Sequence, residues 1–195
     1  MANKNFKAVA IILLFFAIIS SCQKESQNSD SNPPHIDSLF RIGQNYQGGV
    51  IFYIDSSKIH GLIAAPFNQS TGIMWWSDTT RTYAEGKAIG TGLSNTKKIV
   101  ALFGPGDYAA KLCDDLVLNG YDDWFLPSQL ELTELANKNF LIGDFPAGWY
   151  WSSTDLGGDP HAYYAFNIRF PDGFVKLNVN MYKNSLNMVR AIRAF

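Results

Sequence analysis

Apolar and polar positions follow several distinct rhythms along this chain, and each rhythm predicts a different element. Ala8 to Ile19 is an uncharged, mostly apolar run of about a dozen residues, too short to cross a bilayer core of roughly 30 Å as a helix. Cys22 to Pro34 is polar throughout, with no large apolar residue. Such a segment cannot bury enough surface to offset its ordering entropy, so a flexible tether is expected. Gly49–Asp55 and Gly61–Pro66 are β-rich runs separated by Ser56-Ser57-Lys58, which predicts an antiparallel hairpin. Trp75-Trp76 and a Gly/Thr/Ser-rich stretch up to Asn95 then predict a long irregular loop.

Three helices are expected next. Thr96 is placed to cap a short one whose Ile99, Val100 and Phe103 share a face, with Gly104 ending it. Asp107 is placed to cap a second, in which Ala109, Leu112, Cys113, Leu116 and Val117 recur at helical spacing and Asn119-Gly120 closes the helix. Ser128-Gln129-Leu130-Glu131, directly after Pro127, is a capping box that opens a third. After about residue 148 the period falls to two. Tyr150–Ser153, Ala162–Phe170, Phe174–Tyr182 and Met188–Phe195 predict strands, with Pro171-Asp172-Gly173 as a turn. Strands, helices, then strands imply an α+β fold with a mainly antiparallel sheet, and residues 40–195 have the length of one domain. The loops around 68–95 and 143–161 are where specificity is expected.

The cationic start changes the meaning of the first apolar run. Lys4 and Lys7 precede it and Ile19-Ser20-Ser21-Cys22 follows it, which resembles the lipobox of bacterial lipoproteins. The resemblance implies a signal peptide over 1–21, a lipid on Cys22, a tether over 22–39, and a protein held on a membrane of the bacterial cell envelope, the outer membrane and cell surface being the expected place. Removing residues 1–21 takes the formal charge from −1 to −3. No basic patch remains to recruit nucleic acid. Within the domain Cys113 is the sole cysteine, which excludes an internal disulfide and any multi-thiolate metal site. On an apolar helical face it is expected to be a buried structural thiol.

Asp123-Trp124-Phe125-Leu126-Pro127-Ser128-Gln129-Leu130-Glu131-Leu132 resembles the signature of the Lcl C-terminal domain family. Further matches run in order: Gly48–Tyr53, Ala88–Gly92 with Asn95-Thr96, Tyr150–Ser153, and Val189–Arg193. The resemblance covers nearly the whole domain. It implies a C-type-lectin-like fold, in which the first and last strands pair and hold a long loop region, and it implies binding of sulfated polysaccharides and host surfaces. Two positions depart from the family pattern. Ala191 stands where many members carry a cysteine, apparently the mate of the helix cysteine, and Phe125 replaces the usual arginine. A negative domain lacking that arginine argues against sulfated sugars.

The Trp124 motif is expected to be architectural: an aromatic anchor, a proline stop and a helix cap. The candidate ligand site is Trp149 and Trp151 with Asp155, Asp159, His161 and Tyr163, beside the Gly157-Gly158 loop. Aromatic faces stack on sugar rings, and carboxylates accept from hydroxyls. Core packing competes for the same residues, because alternation puts Trp149 and Trp151 on one strand face and Tyr150 on the other. Asp155 and Asp159 can hold Ca²⁺ with loop carbonyls or stand solvated. The Glu-Pro-Asn and Trp-Asn-Asp motifs of calcium-dependent lectins are missing, so solvated carboxylates and no metal are expected; Asp122-Asp123 is treated alike. His35, His60 and His161 lack ligand spacing, and no nucleophile elbow, zinc-protease or phosphate-loop motif occurs. The expectation is a non-catalytic module without cofactor that binds a glycan or a surface partner, or else an assembly module of a surface complex with no soluble ligand.

Overall fold

In the computed structural model, which describes residues 39–143, 145–158, 160–170 and 176–195, β1 (Asn45–Tyr46), β2 (Gly49–Ile54) and β3 (Gly61–Ala64) open the chain. Next come β4 (Ser70–Ile73), α1 (Gly92–Phe103), α2 (Ala109–Asp114), α3 (Gln129–Asn137) and α4 (Asn139–Ile142). β5 (Gly148–Asp155), β6 (Tyr164–Phe170), β7 (Lys176–Tyr182), β8 (Asn187–Val189) and β9 (Ile192–Ala194) complete it. All described residues belong to a unit spanning Ile36–Phe195. The signal peptide, Cys22, the tether up to residue 38, Asp159 and the Pro171-Asp172-Gly173 turn lie outside the described residues, as do the side chains of 176–180.

The fold is mixed α+β and mostly antiparallel. The expected hairpin forms, with Val50 opposite Ala64 and Ile51 opposite Ile63. It sits in a four-stranded sheet of order β1-β2-β3-β9, so the last strand pairs with β3 rather than with β1. The second sheet has the order β4-β8-β5-β6-β7, with one parallel contact where Tyr150 meets Met188. The central strands β2 and β5 are covered on both faces. Along β2, Ile51 enters one apolar cluster and Phe52 the other; along β5, Trp151 and Tyr150 divide the same way. Among the described residues no helix is long and apolar enough to cross a membrane.

Four local expectations are corrected. α1 starts at Gly92, four residues before Thr96. Thr96 is instead buried under the Trp124 motif, where its hydroxyl accepts from the Leu126 amide (3.1 Å) and donates to the Leu126 carbonyl (3.3 Å). α2 begins after Tyr108 rather than at Asp107 and stops at Asp114, leaving Val117 73% exposed. Asn119 (φ 53°) and Gly120 (φ 83°) do not end that helix. They form a two-residue turn across which Leu118 and Tyr121 exchange both backbone hydrogen bonds. Finally, Met188–Phe195 is not one strand, because Arg190 and Ala191 leave the ladder between the two sheets. Arg190 is buried and donates to the Ala65 carbonyl and Asn68 Oδ1 (both 2.8 Å), while the Ala191 amide donates to Gln69 Oε1.

The third helix forms as expected, and its cap does more than end a helix. The Ser128 hydroxyl accepts from the Glu131 amide, and Glu131 Oε2 accepts from the Ser128 amide at 2.7 Å. The other carboxylate oxygen accepts from the Gly90 amide, also at 2.7 Å, which ties the loop before α1 to the start of α3. Gly92 passes so close that a Cβ there would lie 2.2 Å from Glu131 Oε2. Around this knot the Ser153 amide donates to the Pro127 carbonyl, and the Gln129 amide to Thr154 Oγ1. The motif is therefore architectural in its contacts, joining both sheets to the helices.

Candidate functional site

Lys183 organises a polar cleft on one side of the domain. The lysine follows β7 in a turn closed by the Ser185 amide donating to the Tyr182 carbonyl. Only 1% of it is exposed. Its Nζ lies 3.0 Å from Asp155 Oδ1, donates to the Thr80 carbonyl at 3.1 Å, and sits 4.8 Å from the Trp75 ring centroid. Asp155 is equally buried: Oδ2 accepts from the amide and hydroxyl of Thr82 (2.9 and 2.7 Å), and Oδ1 also accepts from the Gly157 amide. The Lys183 main chain extends the seam, its amide donating to the Tyr163 carbonyl and its carbonyl accepting from Trp75 and Trp76. One residue thus fastens residues 75–82, the end of β5 and the approach to β6.

On the outer side of that seam lies a cleft of about 210 Å³. Ser77, Asp78 and Thr79 line it together with Tyr163, Tyr182 and Asn184, and Lys183 lies among the lining residues. Tyr163 and Tyr182 are 52% and 54% exposed. Tyr164 packs against both beside the cleft, its ring centroid 6.4 Å from Tyr163 and 4.9 Å from Tyr182. Hydrogen bonds from Thr80, first its hydroxyl and then its amide (2.8 Å to Oδ1), hold the exposed Asp78 carboxyl below its ordinary value. Aromatic faces, hydroxyls, an amide and an ionised carboxylate therefore meet at one opening, the donor and acceptor set that hydroxyl-rich ligands require.

The sequence-predicted site residues scatter around this cleft. Tyr163 lines it. Asp155 lies behind it in a buried ion pair, which corrects the expectation of a solvated carboxylate; with an ammonium already on Oδ1, it does not offer itself to calcium. Trp151 is fully buried, its Nε1 donating to the Ile73 carbonyl at 2.9 Å, and has no face to give a ligand. Trp149 is half-buried on the same strand, opposite Arg169. His161 is exposed in a turn, with its amide donating to the Gly158 carbonyl, but does not line the cleft. Asp123 is also not a free carboxylate, because Arg193 engages both its oxygens. Among the described residues no three His, Cys, Asp or Glu side chains gather as a metal site would need.

Sequence reasoning missed Asp78, Tyr182, Lys183 and Asn184. Their signals were present in part: Ser77-Asp78-Thr79-Thr80 follows a tryptophan pair, and a tyrosine and a lysine end the alternating strand. Nothing local says that these segments, about a hundred residues apart, meet. A second, more open hollow is lined by Asn45–Gly49, Pro66 and Asn119. Its polar groups are engaged internally, with Asn119 Nδ2 donating to the Gly48 carbonyl and Gln47 Oε1 accepting from Arg193. No protein-family model matches the chain, and no curated protein matches it in sequence.

Proposed function

We propose that this chain is a lipid-anchored bacterial cell-envelope protein whose 40–195 domain is a non-catalytic, C-type-lectin-like recognition module, similar to the Lcl C-terminal domain family. It binds a glycan or a glycan-bearing surface partner in the cleft lined by Asp78, Tyr163 and Tyr182. The observation that carries the reading is this cleft, lined by two half-exposed tyrosines together with hydroxyls and a carboxylate, with the buried Lys183–Asp155 ion pair at its inner side. Support for the anchor comes from the apolar run before Cys22 and the polar stretch after it.

The test is a glycan array probed with the detergent-solubilised full chain, in calcium and in chelator. Binding is expected in both buffers. Replacing Tyr163 and Tyr182 together by Ala is expected to abolish it while moving Tm by no more than ~2 °C, the range of surface substitutions. Absence of any binding in either buffer overturns the glycan reading. Cys22→Ala is expected to release the protein from the membrane fraction, and its retention there would overturn the anchor.

One observation favours the assembly reading. α4 buries none of its four residues, and Phe140 is 77% exposed beside Leu141. Sedimentation of the full chain decides it: self-association that Phe140→Ser reverses would make this face a contact between subunits.

A further inference from the structure

We infer that the cleft selects its sugar by charge, taking amino or neutral sugars and rejecting sulfated and uronic ones; this rests on the glycan reading above. Two groups at the opening carry charge, and they are not equivalent. Lys183 is spent: its ammonium faces inward to Asp155 and the Thr80 carbonyl, and 1% exposure leaves nothing to offer an anion. Asp78 is the reverse case, an exposed carboxylate at the mouth, kept in place by Thr80. The nearest arginine in sequence, Arg81, is occupied as well. It binds Glu85 Oε1 at 2.7 Å and lies over the Tyr83 ring at 4.5 Å.

A ligand entering beside the tyrosines therefore meets one outward carboxylate, with the buried Lys183 ammonium behind it, and two half-exposed electron-rich phenol rings. The carboxylate and the rings attract an ammonium and repel a sulfate. A neutral sugar keeps the stacking and donates its hydroxyls to the carboxylate. The order of affinity follows as amino sugar, then neutral sugar, then sulfated sugar. The difference between the extremes is expected to be about tenfold at low salt, the scale of one charge contact near a protein surface.

The experiment compares three oligosaccharide probes on the detergent-solubilised full chain: chitosan oligomers, their fully N-acetylated counterparts and heparin oligomers, each titrated at low and at high salt. Wild type is expected to bind them in that order, with the preference for chitosan shrinking in high salt. Asp78→Asn is expected to shrink the preference for chitosan over N-acetylated oligomers several-fold, the phenol rings keeping the remainder, while leaving Tm unchanged. Heparin binding as strong as chitosan binding, lost in the Tyr163/Tyr182 double substitution, would overturn the charge rule and leave the glycan reading standing. An amino preference undiminished by Asp78→Asn also overturns it. Failure of all three probes overturns both.

Discussion

Arg193, two residues from the C-terminus, grips both oxygens of Asp123, Nε donating to Oδ1 at 2.6 Å and Nη2 to Oδ2 at 2.9 Å. The same guanidinium donates to the carbonyl and side chain of Gln47 and lies 3.9 Å from the Tyr121 ring. It joins the last strand, the β1–β2 turn and the start of the Trp124 motif. The arginine is largely buried and the carboxylate half-exposed, so solvent screens part of the pair. Asp123→Ala is expected to lower stability by about 1–2 kcal/mol, measured by urea titration, chiefly because the guanidinium loses its counter-charge.

That pair also sets an acid limit. Arg193 holds the Asp123 carboxyl below its ordinary value of 3.8. A depressed folded value means the stabilisation is present above about pH 4 and disappears as pH falls through the folded value. Glu131 works oppositely: burial raises its carboxyl above 4.5, although amides of Ser128, Gly90 and Gly92 pull it back. Its contribution is full below 4.5 and declines as pH rises through the raised value. Stability–pH curves are expected to lose their acid shoulder in Asp123→Asn and to keep it in Glu131→Gln.

Cutting the Glu131 knot should loosen one loop before it unfolds the domain. Glu131→Ala leaves the Gly90 and Ser128 amides without their acceptor, at a cost of about 2–4 kcal/mol. Hydrogen exchange is expected to quicken first at Gly90, ahead of the β5 and β6 amides. Uniform acceleration would mean the knot has no local role.

The Lys183–Asp155 pair should be worth more broken than missing. Lys183→Met or Asp155→Ala alone is expected to destabilise by roughly 3–5 kcal/mol, since each strands a buried charge. The double replacement Lys183→Met with Asp155→Leu is expected to recover much of that loss. A double variant no better than the sum of the singles would refute the coupling.

Cys113 should be chemically silent in the folded protein. It is fully buried, and burial pushes its thiol far above the ordinary cysteine value, with Asp114 adding to the shift. A thiol reagent is expected to leave it intact in buffer and to label it fully in guanidinium. Rapid labelling in buffer would mean that α2 opens locally.

The capping box, the first hairpin and the strands β5 and β6 were legible in the sequence because each depends on neighbours a few residues apart. A serine three positions before a glutamate has its hydrogen-bond geometry written in that spacing. β-branched runs on either side of Ser56-Ser57-Lys58 have few ways to pair. The burial of Cys113 was likewise legible in the helical spacing of its apolar neighbours.

What only the tertiary structure decided is where distant polar groups meet. Asp155 looks like any loop aspartate until Lys183 and Thr82 close on it, and Trp151 looks like a stacking platform until Ile73 and the core cover it. Tyr182 and Asp78 carry no local mark of a shared cleft. Burial of a charge is tolerated only with its partner present, and the partner here comes from another segment of the chain. Local rhythm therefore determined the elements, while long-range pairing of buried charge determined the site.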